Sequence, residues 1–409
     1  MFRISRYLHV AAGQSVPPHR TPSAPVVIWN LSRRCNLRCR HCYTVSEDRA
    51  YPGELSTAEA LRTIEDLWQA GVRVLILSGG EPLLRPDIFE LSEAARERGF
   101  YVALSTNGTA IDDQNIERIA AMEYSYVGIS LDGIGARHDA FRGREGAFDQ
   151  ALRGLRLCRD AGIKTGIRYT LTELNGEDFP RLIDLTREEG IDKFYLSHLN
   201  YGGRGHFNRA RDASFRRTRN ALDRLFEAAW RDVLDGNGRE YVTGNHDADA
   251  VYLLYWLRDR VDEAAWQQVV RELQAWGGNA TGLHVANIDN LGNVHPDTFW
   301  WDENLGNVRE QSFREIWFNP DHPLLQTLRK RPRELGGRCG ACQWKAICNG
   351  SSRVRALRLT GDVLGPDPGC YLTDAETGIA GDATAAALPD EQRERDRAYA
   401  EVFRVGARS

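Results

Sequence analysis

Two hydrophobic rhythms alternate between residue 26 and about residue 200. Short β-rich runs lie at 26–31, 72–78, 100–105, 126–131, 163–171 and 193–198, and the first reads as a buried strand. Longer stretches with helical spacing lie between them, at 57–70, 86–98, 112–122, 147–161 and 178–189. Several end in glycine, at Gly71, Gly99, Gly162 and Gly190, as helices often do. Six strands with intervening helices predict an α/β fold built on a parallel sheet, either doubly wound or curled into part of a barrel. In either case the functional loops belong at the C-terminal ends of the strands.

The rhythm changes on both sides of this region. Residues 1–25 are Pro/Ser-rich toward their end and are expected to wrap an outer surface. From 207 to 280 the strand pattern stops, and 215–234 and 248–276 read as helices, charged on one face and aromatic on the other. Residues 283–371 are irregular and rich in Gly, Asn, Trp and Asp. The tail is Ala-rich and acidic from 373, with a last helical pattern at 390–404. The expected division is therefore 1–25, 26–206, 207–282, 283–372 and 373–409. No internal repeat is visible.

Composition narrows the class. Hydrophobic residues make up 42% and charged residues 27% of the 409, which is ordinary for a soluble protein. A formal net charge of −4 argues against a nucleic-acid-binding surface. No apolar run has the length of a membrane span, and the N-terminus lacks the apolar region of a secretory signal. Only four of the 53 basic residues are lysines, so the chain is supplied with guanidinium forks suited to carboxylates. Seven of the eight cysteines fall in two tight groups, Cys35/Cys39/Cys42 and Cys339/Cys342/Cys348/Cys370. Such clustering favours metal over disulfides and predicts a reducing, cytoplasmic setting.

In the first group three thiolates can hold three irons of a [4Fe–4S] cube and leave the fourth iron open. Zinc is the alternative, but zinc sites usually close with four ligands, and here no fourth is near. The second strand ends in Ser78-Gly79-Gly80-Glu81-Pro82. Its glycines would let the backbone approach a ligand, and Glu81 would face an ammonium; a plain turn before a helix is the other reading. The third strand ends in Ser105-Thr106-Asn107-Gly108 and the fourth in Ser130-Leu131-Asp132-Gly133. Both offer the small polar groups a ribose or carboxylate needs, and equally ordinary turn chemistry. Arg168 sits in a largely apolar strand, where a charge is costly unless paired. His198 and Asn200 end the sixth strand, and Cys158 has the spacing of a core residue. The four cysteines of the second group could close around either zinc or a cluster.

The Cys-x3-Cys-x2-Cys spacing, with the aromatic His41 before its last cysteine and Tyr43 after it, resembles the signature of the radical S-adenosylmethionine (SAM) enzymes. The resemblance runs along residues 26–200. It implies a partial (β/α)6 TIM-like barrel and an open iron chelated by the amino and carboxylate groups of SAM. It also implies SAM contacts at His41, Tyr43, Gly79, Gly80, Glu81, Pro82, Asn107, Ser130, Asp132, Arg168 and His198. Further on, Leu291-Gly292-Asn293-Val294-His295-Pro296, Leu305-Gly306-Asn307-Val308 and Ile316-Trp317 resemble the SPASM or twitch-type extension, a small α+β auxiliary-cluster domain. That extension usually carries two auxiliary clusters. Here Asp297 follows Pro296 where many members have cysteine, Ser352 replaces another cysteine, and none lies between Cys158 and Cys339. The resemblance therefore implies two [4Fe–4S] clusters in all, the auxiliary one held by Cys339, Cys342, Cys348 and Cys370. Asp297 or His295 is the alternative unusual ligand.

The run from Cys339 to Cys348 and the Arg/His-bearing N-terminus resemble the tetrapyrrole-modifying branch, and within it the NirJ family of heme d1 biosynthesis. That implies a 5′-deoxyadenosyl radical, removal of propionates from 12,18-didecarboxysiroheme, and a reducing partner such as flavodoxin or ferredoxin. Arg204, Arg209 and Arg211 are candidates for substrate carboxylates, and Phe299, Trp300 and Trp301 for stacking on a macrocycle. His9, His198, His206, His284 and His295 are candidate iron ligands. Three other readings stand beside it: an acetate-removing enzyme of the alternative heme pathway, a SPASM peptide maturase, and a non-catalytic iron–sulfur scaffold. The first 25 residues are short for the maturase's peptide-binding module. A scaffold has no need of Gly79, Gly80 and Glu81.

Overall fold

The computed structural model describes residues 1–19 and 22–379; the helix read at 390–404 lies outside them. Ten strands form one sheet: β1 (Val26–Asn30), β2 (Val74–Ser78), β3 (Tyr101–Thr106), β4 (Tyr126–Ser130), β5 (Thr165–Leu171), β6 (Lys193–His198), β7 (Glu240–Gly244), β8 (Val285–Ile288), β9 (Asn293–His295) and β10 (Gly306–Asn307). Their order is β10-β9-β8-β1-β2-β3-β4-β5-β6-β7. From β8 through β7 every neighbouring pair is parallel, and the β8–β9 and β9–β10 pairs are antiparallel. The six expected strands form the centre of this partial barrel, which does not close: β10 and β7 are its edges.

Alternation along the strands sorts the side chains. Val27, Trp29, Leu75, Leu77, Val102, Leu104, Val127, Ile129, Ile167, Phe194 and Leu196 are buried in the core shared with the helices. The register places Asn30 beside Ser78, Ser105 beside Gly128, and Ser130 beside Arg168 and then Tyr195. These residues have the opposite parity and make an inner face whose polar groups collect at the C-terminal strand ends.

Three sequence expectations change. The segment 207–280 contains a strand, β7, which pairs with β6 from Lys193↔Glu240 to Ser197↔Gly244. Only Tyr241, Val242 and Thr243 favour a strand there, so it leaves almost no periodic signal. The stretch 248–276 is two helices, Ala248–Leu257 and Glu263–Trp276, divided where Asp262 caps the second by accepting from Ala265 N at 2.8 Å. The N-terminus is not an outer wrap. Its helix, Ile4–Ala11, buries Ile4, Tyr7 and Leu8, and Phe2 pairs with Thr243 beside β7. The far half of the chain is tied into the same sheet, because β8 adds to the free edge of β1.

Many arginines brace irregular backbone rather than waiting for carboxylates. Arg353, fully buried, donates to the carbonyls of Gly365 at 2.7 Å and Val363 at 3.0 Å. Arg333 holds the Leu328 and Asn349 carbonyls, and Arg85 those of Leu31 and Leu55. A five-donor fork satisfies several orphan acceptors at once, which irregular buried chain requires. Among the described residues no helix is long and apolar enough to cross a membrane.

One buried carboxylate ties three elements together away from the cysteines. Asp232 accepts from Arg187, from Arg239 at 2.6 Å and from Tyr241 at 2.8 Å. Burial alone would raise its pKa, but these donors outweigh burial and hold it below the usual carboxylate range. A folded pKa below the unfolded one gives stability that is complete above the unfolded value, about 4, and is lost as pH falls through the folded value. Asp232→Asn is therefore expected to lower the unfolding midpoint at neutral pH and to flatten its decline below about pH 4. Urea melts across that range measure it, and a parallel decline in both proteins would contradict it.

Candidate active site

The loop after β1 carries the first cysteines. Cys35 and Cys39 are buried, and they pack with Leu37 and Ala147 against half-buried Cys42. Donors point at the sulfurs: Leu37 N at 3.4 Å and Asn107 Nδ2 at 3.8 Å from Cys35, Ser46 N at 3.5 Å from Cys42, and an Arg142 nitrogen at 3.5 Å from Cys39. Burial, with the neighbouring Cys39 and Glu81 charges, pushes the Cys35 thiol up to about 12, and burial raises Cys39 as well. Thiols so placed keep their protons until a metal displaces them. Among the described residues no three His, Cys, Asp or Glu side chains are gathered for a single metal ion. A buried thiol set with N–H donors aimed at sulfur suits an iron–sulfur cube.

The Gly79-Gly80 pair packs against the cluster loop itself. A Cβ on Gly79 would lie 2.4 Å from Ser32 O, and one on Gly80 would lie 2.3 Å from Arg34 O. The amides of Gly80 and Glu81 donate to these same carbonyls, at 2.6 and 2.8 Å. Glu81 is fully buried and accepts from Leu83 N at 3.1 Å, Thr106 Oγ1 at 2.7 Å and Asn107 N at 2.7 Å. Three of its roughly four acceptor positions are thus filled. Its carboxylate braces the β2 and β3 loops, and Pro82 opens the short turn Pro82–Leu84 beneath it. Asn107 likewise turns to the cluster loop, donating to Asn36 Oδ1 at 2.9 Å.

The inner face beside the loop is more open. Asn30 Nδ2 donates to the Tyr43 hydroxyl at 2.8 Å, and Asn287 holds Asn30 in turn. Half-buried Arg168 has no carboxylate partner among the ion pairs of the described residues; its guanidinium lies over the Tyr195 ring, 4.9 Å from the centroid. Ser130 is its register neighbour. An inward cation with a hydroxyl beside it fits a small carboxylate, as the sequence expectation for SAM requires.

Several expected site residues lie elsewhere. Asp132 is fully buried and forms an ion pair with Arg142 while accepting from Thr170 N at 2.7 Å, so it is structural to the loop rather than open to a ligand. His41 stacks on Phe141, with centroids 4.8 Å apart, and burial lowers its pKa to about 4. His198 points to the outer face of the sheet, where it meets Asp249 at 2.9 Å; Tyr371 donates to the same carboxylate at 2.7 Å. It therefore cannot contact SAM on the inner face. Arg204 braces the cluster loop through the carbonyls of Cys39 and Ser46, and Trp300 is buried with Leu328 and Val354. Neither is placed to meet a substrate.

Trp301 and Phe299, both half-buried, stand edge-on to Tyr43 of the cluster loop, at 6.2 and 5.3 Å. His295 is spent between Glu303 O and Asp289, and His9 sits on the N-terminal helix, bonded to Gln14. Arg209 lies next to His206 in the segment after β6, donating to its carbonyl at 2.8 Å. Asp297 accepts from Thr281 Oγ1 and from Phe299 N, which turns the loop rather than offering a metal ligand.

His198→Ala is expected to leave SAM affinity unchanged and to cost roughly 1–3 kcal/mol, the penalty for stranding Asp249. Calorimetric SAM titration and unfolding together decide this; weakened SAM binding with intact stability would contradict the placement.

The second cysteine group is framed by the same devices. Asp367 N lies 3.3 Å from Cys339 Sγ, Trp344 N 3.4 Å from Cys342 Sγ, and Arg338 Nη1 3.2 Å from Cys370 Sγ. Behind them Arg355 and Asp367 form a buried two-pronged pair at 2.6 and 2.7 Å. Arg142, Phe141 and Asn30 escape the sequence reading, whereas Thr106 falls within the polar strand end noted there. Arg142 alone left a trace, the Gly143 that follows it with φ +76°.

Residues 29–186 match the family model of the radical SAM superfamily, and residues 281–343 match SPASM, an iron–sulfur cluster-binding domain. The chain belongs to the radical SAM superfamily: it is a SAM-dependent enzyme carrying iron–sulfur clusters and a SPASM extension. It is 53% identical over 386 residues to the pre-heme d1 synthase of Dinoroseobacter shibae, covering 93% of this chain and 95% of that one. It is 41% identical over 358 residues to the Fe-coproporphyrin III synthase of Methanosarcina barkeri, covering 87% and 89%. Among solved structures, Streptococcus suis SuiB bound to S-adenosylmethionine shares the fold, with a TM-score of 0.67 at 19% identity over 86% of this chain and 78% of that one.

Proposed function

We propose that this enzyme removes propionate side chains from 12,18-didecarboxysiroheme on the route to heme d1. The observation that carries the reading is the 53% identity to a pre-heme d1 synthase across nearly the whole of both chains. When bound at Cys35, Cys39 and Cys42, a reduced [4Fe–4S] cluster supplies the electron that cleaves SAM to a 5′-deoxyadenosyl radical, the species that takes hydrogen from a substrate carbon.

The chain's own residues do the rest. Arg168 and Ser130 hold the SAM carboxylate on the inner face. Tyr43, Phe299 and Trp301 form an aromatic wall beside the cluster loop that suits a flat macrocycle and excludes water. Arg209 and Arg211, in the segment that follows β6, are the arginine candidates for a substrate carboxylate. Cys339, Cys342, Cys348 and Cys370 supply four thiolates for one closed auxiliary cluster, making two clusters in all. A small acidic reductant of the flavodoxin or ferredoxin type supplies electrons.

The test is anaerobic turnover with SAM, a chemical reductant and 12,18-didecarboxysiroheme, followed by mass analysis. The expected product has lost propionate side chains, with 5′-deoxyadenosine formed alongside. Loss of acetates would move the enzyme to the alternative heme pathway. Turnover of a peptide with none of the tetrapyrrole would replace the proposal with a maturase.

A further inference from the structure

Asp132 and Arg142 form an ion pair enclosed beneath the cluster loop, with side chains 0% and 9% exposed. Arg142 Nη1 lies 3.5 Å from the sulfur of Cys39. The same residue also holds the loop's backbone: its carbonyl accepts from Arg38 N at 3.0 Å, and that of Phe141 accepts from Arg40 N at 3.0 Å. Asp132 is fixed in turn by Thr170 N on β5 at 2.7 Å. Gly143 lets this chain come so close, since a Cβ there would stand 2.8 Å from Arg38 O. The guanidinium is therefore aimed, not merely nearby. The donors to Cys35 and Cys42 described above are neutral.

We propose that Arg142 is a positioning residue that tunes the open cluster: its guanidinium, aimed by Asp132, donates to the Cys39 sulfur and raises the cluster's reduction potential. The inference rests on the reading that Cys35, Cys39 and Cys42 hold the cluster. Reduction adds one negative charge to the cube. A hydrogen bond and a fixed positive charge at a ligand sulfur stabilise that added charge, and the enclosed setting leaves the interaction poorly screened. Asp132 acts in both directions. It fixes the fork in place, and its own charge offsets part of the gain.

The opposed signs supply the test. Full-length protein is reconstituted anaerobically, and the potential of the cluster whose electron paramagnetic resonance signal changes on adding SAM is titrated. At the wild-type midpoint, Arg142→Met is expected to lower the reduced-to-oxidised ratio about tenfold, which is 59 mV for one electron. Arg142→Lys keeps the charge without the fork and falls between the two. Asp132→Asn keeps a side-chain oxygen for the fork to donate to, so the aim is held while the negative charge is removed, and the ratio rises. An unchanged potential in loaded Arg142→Met overturns the proposal. So does a shift of the same sign in Arg142→Met and Asp132→Asn, because a loosened loop moves both one way. If Arg142→Met fails to take up iron, Arg142→Lys and Asp132→Asn decide, and a ratio that does not rise in Asp132→Asn overturns it. A wild-type protein with no SAM-responsive signal would instead defeat the cluster assignment.

Discussion

Replacing Cys35, Cys39 and Cys42 together by alanine is expected to remove about four of about eight irons per chain and to abolish SAM cleavage. The buried loop that holds these residues packs with Leu37 and Ala147, neither of which depends on the sulfurs for its place. The chain should therefore remain folded, with roughly half its iron-linked visible absorption kept by the second group. Iron and sulfide analysis measures the first outcome, and 5′-deoxyadenosine by chromatography the second. Full iron content in the triple variant, or continued SAM cleavage, would remove these cysteines from the active site. This outcome also separates enzyme from scaffold, because a scaffold loses nothing when SAM cleavage stops.

The second large effect concerns the pair behind the other cysteines. Asp367 is fully buried and Arg355 almost so, and the carboxylate also accepts from Ser352 N at 3.1 Å and Gly369 N at 3.0 Å. Asp367→Asn strands a buried cation, and such single removals cost about 3–5 kcal/mol. The Asp367 backbone also touches Cys339, so the auxiliary iron should be lost at lower denaturant than the first cluster. Replacing both partners by apolar residues of similar size is expected to cost far less than the single change. Anaerobic urea melts of the single and double variants measure this. A single variant within about 1 kcal/mol of wild type would show that the pair carries little.

The cysteine loop was legible because its chemistry is written in spacing, and the six central strands because each is a β-rich run followed by a helix. What could not be read depends on which way a residue faces. His198 shares parity with Phe194 and Leu196, both fully buried beneath the helices, so strand alternation puts it on the outer face; its position at a strand end had suggested the inner one. Asp132 lies past the end of β4, where alternation gives no guidance, and only its ion pair with Arg142 reveals its role. The arginines misled for another reason. Composition counts forks but not what they grip, and Arg204, Arg333 and Arg353 grip carbonyls that exist only once the loops are folded. β7 offers only Tyr241, Val242 and Thr243 as strand formers and β8 only Val285 and Ile288, and their pairing is decided by neighbours far away in sequence.

The pairing of β1 with β8 also bears on how the chain is made. Val26 and Val285 are register partners, so the first strand to leave the ribosome waits for a partner about 259 residues later. At ~5–20 residues per second that wait is roughly 13–50 s. Throughout it, a flat apolar edge with unpaired amides and carbonyls stands open beside β2, a template for pairing with other chains. Yield in a heterologous host should therefore depend on chaperone supply and on slow expression as much as on iron and sulfide, and a version cut before residue 285 should be found mainly in inclusion bodies.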